Sequence, residues 1–154
     1  MADQPFASNT ALRITRRLAA PRAKVFHAWT DPETLKRWFA PSDDYSTWQA
    51  EVDLRAGGTY RIQMKAPDGA IYAVKGTYKD VQPTERLVFS WSWEGSGWRG
   101  LKEFYETLVT VELRTVPAGT ELTLTHEFFP TAEERDRHRS GWTGCLTRLI
   151  EALA

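Results

Sequence analysis

The 154-residue sequence predicts a single α+β domain, and three observations carry that prediction. Hydrophobic residues alternate with a period of two from Trp48 to Phe128, they recur at helical spacing on either side of that stretch, and no internal repeat or low-complexity tract divides the chain. A chain of this length buries one substantial core and is short for two.

Residues 1–11 carry Pro5, Ser8 and Asn9 without periodicity and are expected to be a flexible leader, which leaves residues 12–154 as the domain. LRITRRL (12–18) alternates Leu12, Ile14 and Arg16 with Arg13, Thr15 and Arg17, the pattern of a strand with one wet face. Pro21 suits a first helical turn, and Val25, Phe26 and Trp29 follow at helical spacing. Asp31 before Pro32 and Glu33 is a second helix start, with Leu35, Trp38 and Phe39 as the apolar stripe and Pro41 as the stop.

The period-two stretch is cut by turn signals at Ala56–Gly58, Pro67–Gly69, Pro83–Glu85, Gly95–Gly100 and Pro117–Gly119, which predicts six strands in a meander. One face is apolar throughout: Tyr60, Ile62 and Met64, then Leu87, Phe89, Trp91 and Trp93, then Val109, Val111 and Leu113, then Leu122, Leu124, His126 and Phe128. Pro130 and the capping-box pattern TAEE (131–134) open a long final helix with the stripe His138, Trp142, Cys145, Leu146, Leu149 and Leu153. The expected architecture is a curved seven-stranded antiparallel sheet, two short helices after the first strand, and one long C-terminal helix over the dry face.

Charge and composition exclude several function classes. Twenty basic residues balance twenty acidic ones, so the chain has no basic field for nucleic acid or an anionic membrane. No apolar run approaches the roughly 20 residues that span a bilayer. A lone cysteine forms no internal disulfide, and MADQPFASNT lacks a basic flank followed by an apolar stretch, so the cytoplasm is the expected location. Monomer and homodimer both stay open, with Trp98, Val88 and Leu108 as outer-side apolar positions.

Seven Trp, seven Phe and five Tyr supply a large apolar wall area, whether for a core or for a pocket. A twisted sheet curves, and a straight helix of about 22 residues, roughly 33 Å long, cannot fill its concave side everywhere. Tyr60, Met64, Tyr72, Tyr78, Trp91, Trp93 and His126 are expected to face the resulting gap from the sheet, Trp142 and Leu146 from the helix, and Trp38 and Phe39 to close one end. Gly141 and Gly144 flank Trp142, and in a helix interior they imply either a close contact or free space.

The segments APRAKVFHAWTDPETLKRWFAP, AGGTYRI, GTYKDVQPTERLVFSW, LVTVELRTVPAGTELTLTHEFFP and GWTGCLTRL, in this order over residues 12–153, resemble the activator of heat-shock-protein-90 ATPase homologue (Aha1-type) family of the START-like superfamily. The resemblance implies a helix-grip fold, in which the sheet grips the long helix around a mostly hydrophobic cavity. In eukaryotic cochaperones of this type a separate N-terminal domain and a linker precede the domain. These 154 residues are expected to hold neither, which makes a chaperone the weaker partner.

Candidates for chemistry are few. His126 points inward between Leu124 and Phe128 and is the candidate general acid or base, set against a buried histidine hydrogen-bonded to a neighbour. His138 lies on the helix stripe towards its start, and His27 is expected in solvent. Cys145 on an apolar stripe is expected to be a small buried thiol. No CxxC or HxxxH pair exists, so no metal site is expected, and GGTY (57–60) lacks the spacing of a phosphate loop, so no cofactor is expected. Glu51, Asp53, Glu103 and Glu106 belong to the wet face, and Arg16 and Arg61 are surface cations. The leading expectation is therefore binding of a small hydrophobic or aromatic molecule in the sheet and helix cavity. The alternatives are a cyclase or hydrolase using His126, and a cochaperone-like interaction module.

Overall fold

The computed structural model describes residues 11–94 and 106–154. Residues 1–10 of the expected leader, the Gly95–Gly100 turn, Trp98 and Glu103 lie outside the described residues. Within them the chain forms β1 (Leu12–Leu18), α1 (Arg22–Thr30), α2 (Pro32–Trp38), β2 (Ser46–Val52), β3 (Thr59–Lys65), β4 (Ile71–Gln82), β5 (Arg86–Trp93), β6 (Thr107–Val116), β7 (Gly119–Glu127) and α3 (Ala132–Ala152). The seven strands make one antiparallel sheet in the order β1-β7-β6-β5-β4-β3-β2. β1 and β2 are thus the two edges, and the α1–α2 pair carries the chain from one edge to the other. The sheet curls into a half-barrel, and α3 lies on its inner side, the arrangement of a helix-grip fold.

Local chemistry sets the helix starts. Asp31 accepts a hydrogen bond from the Thr34 backbone N–H at 3.0 Å, which caps α2. Thr131 accepts one from the Glu134 N–H at 3.1 Å and caps α3. Among the described residues no helix is long and apolar enough to cross a membrane.

Tyr60 spans two strands. Its hydroxyl donates to the Ser90 carbonyl at 2.6 Å, passing over Gly76, where an added Cβ would lie 1.9 Å from that carbonyl oxygen and 2.8 Å from the Tyr60 ring. The Ser90 hydroxyl then accepts the Thr77 N–H at 2.8 Å in place of a ladder bond. Gly76 is therefore a strand glycine kept bare by a crossing side chain.

Two sequence expectations are corrected. Phe128, placed on the inner face by alternation, is 57% exposed, because β7 ends at Glu127 and Phe128 takes a left-handed backbone at φ +76°. That turn sends the next residue, Phe129, inward, where it is buried against His126 and His138 with ring centroids 4.3 and 4.8 Å apart. Val88, expected on the outer face, is only 6% exposed, since its cross-strand neighbours Asp80 and Thr110 flank it on both sides.

Candidate functional site: the aromatic seam under the long helix

α3 lays His138, Trp142, Cys145, Leu146 and Leu149 against the inner face of the sheet. Trp142 is the hub of an aromatic cluster drawn from four elements or their ends: Trp91 of β5 at 5.0 Å between ring centroids, Trp29 of α1 at 5.8 Å, and Phe39, just after α2, at 6.0 Å. The helix approaches this closely because of Gly144. A Cβ there would sit 1.8 Å from the Pro41 carbonyl oxygen, so the bare position lets α3 touch the chain leaving α2. Arg148, one turn on, fixes the same contact by donating to the Trp38 carbonyl at 3.3 Å and pairing with Asp43.

Two cavities remain on this seam, each with about 20 Å³ of free space, enough for one water-sized sphere. The first is walled by Met64, Trp91 and Trp93 on the sheet side and by Phe39, Gly141 and Trp142 opposite. The second lies beneath α1 and α2 and is walled by Trp29, Leu35, Phe39, Tyr60, Tyr78 and Trp91. Both surfaces are almost wholly apolar. Phe39 and Trp91 line both cavities and separate them.

Of the residues expected at a ligand cavity, Phe39, Met64, Tyr60, Tyr78, Trp91, Trp93 and Trp142 line one or both. Trp38, Tyr72, His126 and Leu146 line neither. Trp38 is fully buried and donates its indole N–H to the Ala28 carbonyl at 2.9 Å, which locks α1 to α2. Tyr72 is half-buried opposite Met64, and Leu146 is core. Trp29 was not expected at the cavities, because its spacing within α1 reports burial and not what it is buried against.

His126 is held on both ring nitrogens. Trp142 donates its indole N–H to Nδ1 at 2.9 Å, and Nε2 carries the proton that goes to the Thr107 hydroxyl at 2.6 Å. Thr107 in turn donates to the Trp91 carbonyl at 3.2 Å. Burial first, and the neighbouring His138 second, hold the His126 pKa well below the ordinary histidine value, so the ring is neutral. His138 is also deep, not near an exposed helix start: Nδ1–H donates to the Glu134 carbonyl at 2.8 Å and Nε2 accepts the Trp93 indole N–H at 3.0 Å. Burial pulls its pKa down to about 4.

The other candidates are placed away from chemistry. Burial pushes the Cys145 thiol up to about 12, far from a nucleophilic thiolate. His27 lies on the surface, 3.6 Å from Asp31. Glu51, Asp53 and Glu106 share a polar groove on the outer side of the sheet with Arg61 and Lys75, where Arg61 pairs with Glu94 at 2.7 Å.

A comparison with curated protein sequences finds no match. Solved structures similar to this chain include a protein of Chromobacterium violaceum at 26% identity and TM-score 0.81, with 94% of this chain and 97% of that chain covered. An AHSA1 protein of Silicibacter pomeroyi is 26% identical with TM-score 0.79, over 93% of this chain and 96% of its own. An AHSA1-like protein of Aeromonas hydrophila is 27% identical with TM-score 0.75, over 92% and 90%. The family model described as "Activator of Hsp90 ATPase homolog 1-like protein" matches residues 19–154. With that span matched and the helix-grip architecture in place, the chain belongs to the activator of Hsp90 ATPase homolog 1-like family.

Proposed function

We propose that this protein binds a small hydrophobic or aromatic molecule between the curved sheet and α3. The supporting observation is the pair of apolar cavities that abut at Phe39 and Trp91. Small-molecule sites are concave and mostly apolar with a few placed polar groups, which is the composition of this seam. Each cavity alone is too small for such a molecule. Phe39 follows α2 and has cavity on two sides, so swinging its ring aside merges the two spaces, and the ligand takes the place the ring leaves.

Acid and base catalysis by His126 is less well supported. Its ring is 0% exposed and both nitrogens are engaged, so a substrate proton reaches it only after the Trp142 or Thr107 bond breaks.

Two measurements on the purified protein test the binding reading. Native mass spectrometry is expected to retain a small molecule, and tryptophan fluorescence is expected to saturate on titration with benzene-sized aromatics and short-chain lipids. Trp142→Ala is expected to abolish the saturable response. A panel that leaves the fluorescence unchanged, with no retained mass, overturns the proposal.

A further inference from the structure

Three of the buried tryptophans have partners for their indole N–H: Trp38 on the Ala28 carbonyl, Trp93 on His138 and Trp142 on His126. Among the described residues Trp29 and Trp91 do not. Each is 4% exposed, and the Nε1 atom of each is fully buried with no hydrogen-bond partner among the described residues. Buried indole N–H groups ordinarily find an acceptor, and an orphan calls for a specific explanation. These two orphans line the same cavity, the one beneath α1 and α2, and Trp91 also lines its neighbour.

Resting on the binding reading above, we infer that this inner cavity selects uncharged ligands that carry a hydrogen-bond acceptor, such as an aromatic or aliphatic ketone, aldehyde or ester. Both vacant groups are donors, so the matching ligand atom is an acceptor, and a carbonyl oxygen is one. The rest of the wall is aliphatic and phenyl side chains with Tyr60 and Tyr78, the Tyr60 hydroxyl being engaged with the Ser90 carbonyl, and no charged residue is among the described lining. A carboxylate or ammonium group would lose its hydration there without a counter-charge, which excludes ionic ligands. A pure hydrocarbon would leave both donors as they are. Selectivity of this kind, set by buried donors that need a partner, discriminates more sharply than an apolar wall does.

The test uses two isosteric probes, acetophenone and α-methylstyrene, which differ in C=O against C=CH₂, with benzoate as the charged control. Affinities are measured for the wild type, Trp29→Phe and Trp91→Phe, so that the difference in hydration of the two probes cancels across the comparison. Acetophenone is expected to lose about tenfold in affinity in either variant, α-methylstyrene less than twofold, and benzoate is expected not to bind. In the wild type, the indole ¹H–¹⁵N resonances of Trp29 and Trp91 are expected to move downfield with acetophenone and not with α-methylstyrene. This readout needs no substitution and stands if a variant fails to fold. Equal losses for both probes, or unchanged indole resonances at saturating acetophenone, overturn the selectivity and leave the binding reading intact. If neither probe binds the wild type saturably, the binding reading falls and this inference falls with it.

Discussion

Trp142 on α3 donates its indole N–H to Nδ1 of His126 on β7 at 2.9 Å, tying the long helix to the sheet by a hydrogen bond inside an aromatic cluster. Trp93 makes the reverse connection, from β5 to Nε2 of His138 on α3, at 3.0 Å. The two histidine rings lie 5.3 Å apart and are locked in opposite tautomers, because an accepting nitrogen cannot carry the proton. His126 is expected as the Nε2–H form and His138 as the Nδ1–H form. Long-range ¹H–¹⁵N correlation spectra at pH 7 distinguish the two forms directly, and the same tautomer at both positions would contradict the bonding pattern.

The neutral histidines make stability pH-dependent in a defined direction. In the folded protein His138 binds a proton only near pH 4, whereas an unfolded histidine binds one near 6.5. Between those values the unfolded chain holds the extra proton, so stability is intact above pH 6.5 and is lost as the pH falls towards 4. The full loss at His138 is roughly 3 kcal/mol, and His126 adds to it in the same sense. Glu94, whose pKa is lowered chiefly by its hydrogen bond to Arg61, contributes only below the ordinary glutamate range. Urea titrations at pH 7.5 and 5.0 are therefore expected to differ by about 2 kcal/mol or more. His138→Gln, whose amide oxygen can still accept from Trp93, is expected to flatten part of that slope.

Gly144→Ala is expected to destabilise the protein although alanine is the better helix former. The helical preference favours alanine by about 1 kcal/mol. Against this, the new Cβ would lie 1.8 Å from the Pro41 carbonyl oxygen, a backbone atom that yields only if α3 or the α2–β2 connection moves. Overpacking of this kind costs about 1 to 3 kcal/mol, and the nearby Arg148 to Asp43 pair would be pulled out of register as well. Thermal unfolding is expected to show a lower midpoint than wild type. A midpoint at or above the wild-type value would mean that the contact is not a constraint.

The contrast between Gly144 and Phe128 shows what the sequence holds and what it does not. Local features are legible because their causes are local: Asp31 ahead of Pro32 and Thr131 ahead of Glu134 each cap the helix they announce, and the period-two stretch between Trp48 and Phe128 covers β3 to β7 and all of β2 but its first two residues. The two glycines beside Trp142 pose a choice between close contact and free space, and the structure realises both, with Gly144 against Pro41 and Gly141 on a cavity wall. The left-handed turn at Phe128 is not legible, since nothing in a Phe-Phe pair tells which ring faces in. The aromatic excess points to the seam, but the free space left there depends on how Trp29, Trp91 and Trp142 interlock across three elements. The pairing of each buried indole with a histidine, with a backbone carbonyl or with no group among the described residues is likewise a tertiary result that composition does not encode.

Phe39→Ala tests the wall between the two cavities. Phe39 is buried, packs against Trp38, Trp91 and Trp142 with centroids 5.6, 6.1 and 6.0 Å away, and separates two spaces of about 20 Å³ each. Removing the ring costs about 3 to 5 kcal/mol in lost burial and newly opened cavity, so the variant is expected to be markedly less stable. The same change joins the two spaces into one apolar chamber with the rings of Trp91 and Trp142 on its walls. An apolar cavity of this type stays dry and accepts small aromatics, so benzene or acetophenone is expected to bind and recover part of the lost stability by mass action. The measurement is the shift in unfolding midpoint with probe concentration, for variant and wild type side by side. A ligand-dependent rise in Phe39→Ala that exceeds the wild-type rise is the result expected of a ring that gates the site, and a midpoint unmoved by saturating probe would show that the surrounding rings collapse into the space.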